Sequence, residues 1–226
     1  MSIEHKTTAL IIFAREPKLG KVKTRLAKDI GKEDTLKLYQ LFLKHIFAIA
    51  KKVTCDQKFI FYVGHGRSLP FLRQFTSDFI LRRQTGADLG QRMYRAFKHV
   101  QQQGYQKVVI IGTDCLTIST FDLQNAFRKL ERNDCVIGPA HDGGYYLLGL
   151  RVFDLRLFSG IKWSSEWVYA ATIQKFKKLH LSYAALAKQE DVDRIDNLRR
   201  TFKKIQNNAG SAALIAFIRI ILKKNT

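Results

Sequence analysis

Four aspartates are the residues in this chain best suited to metal or proton chemistry: Asp114, Asp142, Asp191 and Asp193. Acids are scarce here, with 19 Asp and Glu against 39 Lys and Arg, yet these four fall at the ends of apolar runs or in turns. Gly112-Thr-Asp114-Cys115 closes the apolar run at 108–111. In open α/β sheets, ligands lie beyond the carboxyl ends of the strands. A carboxylate there suits a hard divalent cation, Mg²⁺ or Mn²⁺, with phosphate oxygens and water completing the shell. The alternative is an aspartate that only stabilises the turn or caps the next helix. Asp142-Gly143-Gly144 is a turn with unusual backbone freedom, although Asp-Gly is also a plain hairpin signal. Asp191-Val-Asp193 places two carboxylates on one side of an extended segment, and Asp193 is also suited to cap the helix that follows.

Positive charge is concentrated in the loop at 15–25, which carries Arg15, Lys18, Lys21, Lys23 and Arg25 together with Pro17 and Gly20. An apolar run at 9–14 enters it and a helical pattern leaves it. A buried strand feeding a basic loop and then a helix is a phosphate-handling arrangement. It is not a Walker A loop, because Arg15 stands where the first Gly belongs and Val22 where Ser or Thr belongs. Its backbone N–H groups with Lys21, Lys23 and Arg25 can neutralise a diphosphate; a solvated basic turn is the alternative. Asp88, with Gln91 three residues on, reads as a capping box opening a helix through Gln103. Trp163 either precedes a helix capped by Ser164 or walls a site, and it and the Tyr145-Tyr146 pair can stack on a ring. Core packing is the commoner use of such aromatics. The histidines show no metal-ligand spacing, and no Ser or Cys lies in a nucleophile motif.

These residues need strands and helices to position them. The run at 9–14 is apolar without alternation, which predicts a strand buried on both faces. Helix follows over 24–50, broken at Ile30-Gly31-Lys32, with an apolar stripe from Leu36 to Ile49. Further strands are expected at 58–63, 79–81, 107–111, 135–138, 145–150 and 181–186. Helices are expected at 71–75, 120–132, 166–179 and 194–206. After a break at 207–210, Ser211 can cap a terminal helix to Lys224. Alternating strands and helices predict an α/β layered domain with a mainly parallel sheet, to which the strands flanking Asp142 add an antiparallel element. One domain over 1–206 with a helical appendage at 207–226 follows.

The 226 residues are 46% hydrophobic and 26% charged, an ordinary globular balance. The net charge of +20 points to an anionic partner or to a generally basic surface. Basic residues recur in nearly every segment, which argues against a compact nucleic-acid module. Cys55, Cys115 and Cys135 form no zinc or redox motif. The first eight residues show no signal-peptide pattern. The longest apolar stretch, 209–222, contains Arg219 and falls short of the roughly 20 residues that span a membrane. A cytoplasmic protein is therefore expected. The apolar face Leu214, Phe217, Ile218, Ile221 and Leu222, flanked by Lys223 and Lys224, suits packing on its own domain, an oligomer contact or a peripheral membrane contact.

Six ordered segments together resemble one family: 13–27, 86–93, 111–115, 138–149, 161–165 and 191–193. They resemble the bacterial glycosyltransferase-A-like proteins called radical-SAM/selenodomain-associated transferases, over roughly residues 7–200. That family is part of the nucleotide-diphospho-sugar transferase superfamily and is similar to the molybdopterin and phospholactate guanylyltransferases. The resemblance implies a Rossmann-like three-layer α/β/α sandwich, a nucleotide across the first loop (Arg15, Gly20, Lys21, Lys23, Arg25) and a divalent cation on Asp114. It makes Asp142 and Asp191 candidates for the second metal ligand or the base, carries Asp88 over as nucleotide-proximal, and puts Gly143, Gly144, Tyr145 and Trp163 at the substrate pocket. Two departures stand out: Leu116 replaces a Pro after Asp-Cys, and Arg194-Ile195 replaces Thr-Pro after Asp-Val-Asp. The expected activity is metal-dependent glycosyl transfer from a nucleotide-diphospho-sugar to an acceptor, or, as an alternative, nucleotidyl transfer from a nucleoside triphosphate. A non-enzymatic anion-binding module is the third reading, and four acids at strand ends speak against it.

Overall fold

The computed structural model describes residues 7–64, 69–207 and 211–225. Its spine is β1 (Thr8–Arg15), whose side chains are buried toward both faces. Leu10, Ile12 and Ala14 join one apolar cluster, while Ala9 and Ile11 join the other. This alternation within one continuous apolar run defines a middle layer covered on both sides.

The chain continues through α1 (Leu26–Ile30) and α2 (Lys32–Lys51), with Gly31 at the expected break. Then come β2 (Gln57–Val63), a short 3-10 turn at Leu72–Phe75, and β3 (Ile80–Arg83). α3 (Leu89–Gln101), β4 (Lys107–Ile111), α4 (Thr120–Lys129), β5 (Cys135–Pro139) and β6 (Tyr145–Leu150) follow. The last elements are α5 (Val168–Lys178), β7 (Tyr183–Ala185), α6 (Ile195–Ile205) and α7 (Ala212–Lys224). The strands form one sheet in the order β3-β2-β1-β4-β6-β5-β7. Only β6 runs against its neighbours β4 and β5, and all other pairings are parallel. The antiparallel element expected around Asp142 is thus the β5–β6 pair, with a register shift at Gly138/Pro139.

Helices α1, α2, α4, α6 and α7 cover one face and α3 and α5 the other. The three-layer α/β/α sandwich is therefore as anticipated. The apolar face of α7 does not point outward: Leu214, Phe217, Ile218 and Ile221 are buried in the same cluster as Phe42 and Ile46 of α2 and Leu198 of α6. Burial of this size ties a helix down through the hydrophobic effect rather than through helix propensity.

Several boundaries differ from the pattern. Helix α3 stops at Gln101, and α4 stops at Lys129. α5 begins at Val168 rather than near Ser164, which sits at φ 65 and caps nothing. Ser211 gives α7 no side-chain cap, because its hydroxyl is 2.5 Å from Nδ1 of buried His45. The break expected at 207–210 lies largely outside the described residues. No helix among the described residues is long and apolar enough to cross a membrane.

Candidate functional site

The chain passes from β1 to β2 on one side of the sheet and later returns to β4 on the other side of β1. The point between β1 and β4 is therefore a topological switch point, where two loops diverge and leave a crevice at the carboxyl ends of the strands. The basic loop leaves β1 there and Asp114 follows β4 there.

Lys23 is the centre of this crevice. Its Nζ lies 2.8 Å from Asp114 Oδ2 and 2.9 Å from Asp193 Oδ1, and its side chain is only 5% exposed. The backbone at Lys23 is left-handed, at φ 45. A non-glycine residue in that region carries strain that the surrounding structure must offset; here the ammonium turned inward between two carboxylates does so. Burial pulls the Lys23 pKa down, but the charges of Asp114 and Asp193 outweigh it and the net value lies above the ordinary one. Burial pushes the Asp193 carboxyl up and Lys23 pulls it down further, so it ends low. Both groups are charged at neutral pH.

The segment 189–195 is held at several points, and this is what fixes Asp191 and Asp193. Gln189 N–H donates to Pro139 O, and Val192 N–H donates to Asp114 O at 3.0 Å. Glu190, 7% exposed at its side chain, accepts from Arg200 and from Asn197 Nδ2 at 2.6 Å. Ile195 N–H donates to Asp29 Oδ2 at 3.0 Å. Val192 is fully buried, so the two flanking aspartates share the side opposite to it. Helix α6 is capped at Arg194 by Asn197 rather than by Asp193, which is free to meet Lys23.

Asp191 lines the crevice together with Asp114, and its Oδ1 is buried without a hydrogen-bond partner. Burial, reinforced by Asp114, pushes its pKa up to about 8. A buried carboxylate oxygen with no partner is costly, and each such atom in a folded protein calls for an explanation. Tyr39 of α2 completes the floor. Its hydroxyl accepts from Arg15 N–H at 3.0 Å and lies 3.5 Å from Thr113 Oγ1, and burial raises its pKa.

The other expected residues are distributed around this centre. Arg15, Lys21 and Arg25 are exposed and line the mouth with Lys23, Asp114 and Asp193. Arg25 reaches to 3.7 Å from Asp193 Oδ2. Gly20 shapes the loop at φ 69. Tyr145 lines the inner crevice with Tyr146, Phe13, Gln84 and Arg92. Lys23, expected as a free phosphate contact, is instead spent largely on two carboxylates.

Three positions fall elsewhere. Trp163 does not wall the crevice; its indole covers Gly90 of α3, where a Cβ would collide with the ring. It lines a separate hollow with Asp88, Gln91 and Arg95. Asp88 is the N-cap of α3, accepting from Gln91 N–H at 2.8 Å; the crevice is lined instead by Gln84 ahead of this cap and by Leu89 and Arg92 in the first turns of α3. Gly143, at φ 87, is pressed against the Glu166 backbone, where a Cβ would collide with the carbonyl. Its neighbour Gly144 donates from N–H to Asp142 Oδ1 at 2.9 Å, and Asp142 itself is exposed, with its charge near enough to Asp191 to help raise the pKa of that carboxyl.

Three participants were missed. Tyr39 lies in the apolar stripe of α2, and nothing in that stripe says that its hydroxyl reaches the site. Gln84 donates to Phe61 O at 2.9 Å at the end of β2. Arg92 stands within a segment that carried the family resemblance, and that was its available signal.

This combination defines a class: a three-layer α/β sandwich with the fold of nucleotide-diphospho-sugar transferases and cytidylyltransferases. Among solved structures, the chain is similar to a candidate nucleotide-diphospho-sugar transferase from Desulfovibrio desulfuricans G20. The two share 29% identity over 96% of this chain and 97% of that one, with a TM-score of 0.88. A cytidylyltransferase from Leptospira borgpetersenii serovar Hardjo-bovis shares the fold at 14% identity, over 97% and 95% of the two chains, with a TM-score of 0.57. A CMP:2-keto-3-deoxy-manno-octonic acid synthetase complexed with CTP shares it at 12% identity, over 86% and 96%, with a TM-score of 0.55. The chain belongs to the family described as "Uncharacterized protein conserved in bacteria (DUF2064)", which matches residues 46–165. No curated protein matches the chain. The matched span contains Asp114 and Asp142, whereas Lys23, Asp191 and Asp193 lie outside it.

Proposed function

We propose that this protein is a nucleotide-using transferase that moves a glycosyl group from a nucleotide-diphospho-sugar to an acceptor hydroxyl. The observation that carries this reading is the buried, unpartnered Asp191 oxygen at the switch-point crevice, beside Asp114 and under a rim of cations. The likeness at 29% identity to a candidate nucleotide-diphospho-sugar transferase supports it. So does the resemblance of the six segments to the radical-SAM/selenodomain-associated transferases.

The donor set fits a hard divalent cation. Asp114 and Asp191 would hold Mg²⁺ or Mn²⁺, and the ion would supply positive charge to a diphosphate in the crevice. Among the described residues, no group of three or more His, Cys, Asp or Glu is arranged to hold a metal ion. A two-carboxylate site therefore depends on phosphate oxygens and water for the rest of its shell, as Mg²⁺ sites commonly do.

The chain's own residues divide the remaining work. Arg15, Lys21 and Arg25 at the mouth bind the phosphates and stabilise the charge that develops on the leaving nucleoside diphosphate. Lys23 keeps Asp114 and Asp193 apart and retains one N–H for a phosphate oxygen. Tyr145 and Phe13 offer the apolar wall. Asp142, exposed and near Asp191, is the candidate base for the acceptor hydroxyl. Asp191 is the other candidate for that role if it is not a cation ligand.

One feature favours a second reading, nucleotidyl transfer. Three cations, Arg15, Lys21 and Arg25, crowd the mouth, and such a cluster also suits a triphosphate and a departing pyrophosphate. The two readings differ in product. With Mn²⁺ and a panel of UDP- and GDP-sugars, glycosyl transfer releases a nucleoside diphosphate, including slow release to water without acceptor. Pyrophosphate release from a nucleoside triphosphate, with no turnover of any nucleotide-sugar, would establish the second reading instead. No release from either panel would sink both.

A further inference from the structure

On the far side of Arg92 from the crevice, a groove of about 400 Å³ runs between β3 and α3. Strand β3 is the edge of the sheet. It brings Arg82 and Arg83, both exposed, and α3 brings Arg95, Lys98 and His99. On α3, positions 92, 95 and 99, continued by the C-cap residue Gln102, recur at helical spacing, so one face of the helix is turned to the strand. Among the described residues, no carboxylate lines the groove. Among the described residues, none of Arg82, Arg83, Arg92, Arg95 and Lys98 makes an ion pair. Their partners are neutral: Arg82 NH1 donates to Leu81 O and its Nε to His99 Nε2 at 3.4 Å, Arg92 Nε donates to Gly86 O, and the Lys98 ammonium lies 5.7 Å from the centre of the Tyr94 ring. Burial and the Arg82 charge lower the pKa of His99, so the imidazole is neutral and adds no cation of its own.

Five guanidinium and ammonium groups in one concave strip repel one another. Such a set is stabilised by an anion that spans several of them, and guanidinium groups match phosphate oxygens in pairs. Arg92 lines both this groove and the crevice, so the two adjoin. We propose that the β3–α3 groove is the acceptor subsite and takes an extended acceptor that carries several phosphate groups. The proposal rests on the transferase reading and names the substrate class for it. A recessed strip suits a chain better than a flat bilayer. Among the described residues, the rings that line it are buried Phe61 and half-buried His99, so no exposed aromatic ring offers a base a stacking platform, which favours a phosphate-bearing chain without bases over a single-stranded nucleic acid.

The test uses the full-length protein and fluorescently labelled linear polyphosphate, with binding followed by anisotropy at several salt concentrations. The groove variant R82Q/R95Q/K98Q is compared with K177Q/K178Q/K203Q, which removes the same charge from exposed positions on α5 and α6. The groove variant is expected to weaken polyphosphate binding at least about tenfold and to flatten its salt dependence, since each lost phosphate contact removes about one unit of slope. The control variant should change it less than about twofold. Binding of GDP or UDP with Mn²⁺ should be unchanged in the groove variant, so loss of the groove is separable from failure of the nucleotide reading. Hydrogen exchange on the wild-type protein gives a second readout that needs no variant: polyphosphate should protect β3 and α3. Equal weakening in both triple variants would overturn the proposal by assigning the effect to general surface charge. So would tighter binding of an oligodeoxythymidylate with the same number of phosphates, tighter binding to phosphatidylglycerol vesicles, or no protection of β3 and α3.

Discussion

Two acidic turns lie side by side at the carboxyl end of the sheet and use their carboxylates in opposite ways. In the Asp142-Gly143-Gly144 turn, Asp142 accepts from the Gly144 N–H two residues on, and Gly143 is locked under the Glu166 backbone. The Asp142 Oδ1 is thus taken up by its own turn, while the Gly143 carbonyl accepts from Tyr169 N–H at 2.9 Å. In the Asp191-Val192-Asp193 segment, the backbone is fixed by distant partners, Asp114 O and Asp29. Its carboxylates are left for the crevice: one grips Lys23, and one keeps a buried oxygen unpartnered. Aspartates of the same type at similar chain positions thus differ in whether local geometry has already consumed their acceptors. The segment with leftover acceptors is the one suited to hold a cation.

The largest effect expected from breaking this contrast is at Lys23. In Lys23→Met, Asp114 and Asp193 face each other without the ammonium, beside Asp191. Removing one partner of a buried ion pair leaves an uncompensated charge, here eased by the partial exposure of both carboxylates. A loss of about 3 kcal/mol in urea-unfolding free energy is expected. A change under about 0.5 kcal/mol would mean that the cluster is not held by Lys23.

Asp142→Asn preserves the turn, since the amide oxygen still accepts from Gly144. Nucleotide affinity and melting temperature should hold while turnover falls about 100-fold, the usual contribution of a positioned base. Unchanged turnover would remove Asp142 from the chemistry and leave it a turn residue. Gly143→Ala tests the same turn by stability alone. A side chain at φ 87 against the Glu166 carbonyl should cost about 2 kcal/mol, with nucleotide affinity per folded molecule intact.

A smaller effect is expected from pH. Asp191 holds its proton in the folded protein up to about pH 8, against 3.8 for the unfolded group. Between those values the unfolded state binds fewer protons than the folded one, so stability contributed by this residue falls as pH rises through the window. Asp191→Asn, which carries no charge, should flatten that part of the pH–stability curve by at least about 1 kcal/mol between pH 5 and 8. An unchanged slope would contradict the burial of a protonated Asp191. The smallest effect is at Trp163: Trp163→Phe loosens the cover over Gly90, and nucleotide affinity should shift less than about twofold.

Much of the fold was legible in the sequence, because its strongest signals are local. A strand such as β1, apolar at every position, has only a buried middle place in a sheet, and the apolar stripe of α2 names its own inward face. Asp114 was legible for a similar reason, as the first acid after a buried strand. The site's assembly was not. Lys23 and Asp193 are separated by 170 residues, and both carried plausible local roles, a solvated loop lysine and a helix cap. Trp163 read as a ring-stacking residue because nothing near it in the chain reveals Gly90, the small residue that makes room for it. Local patterns report the period of an element; they do not report which distant group satisfies a polar atom.

The contrast between the two turns is tested most directly by calorimetric titration of UDP and GDP into the wild-type protein, Asp191→Asn and Asp142→Asn, each with and without Mn²⁺. The wild-type protein should bind one of these nucleotides only when Mn²⁺ is present. Asp191→Asn should abolish that binding, and Asp142→Asn should retain wild-type affinity. Metal-dependent binding that survives in Asp191→Asn and is lost in Asp142→Asn would contradict the account.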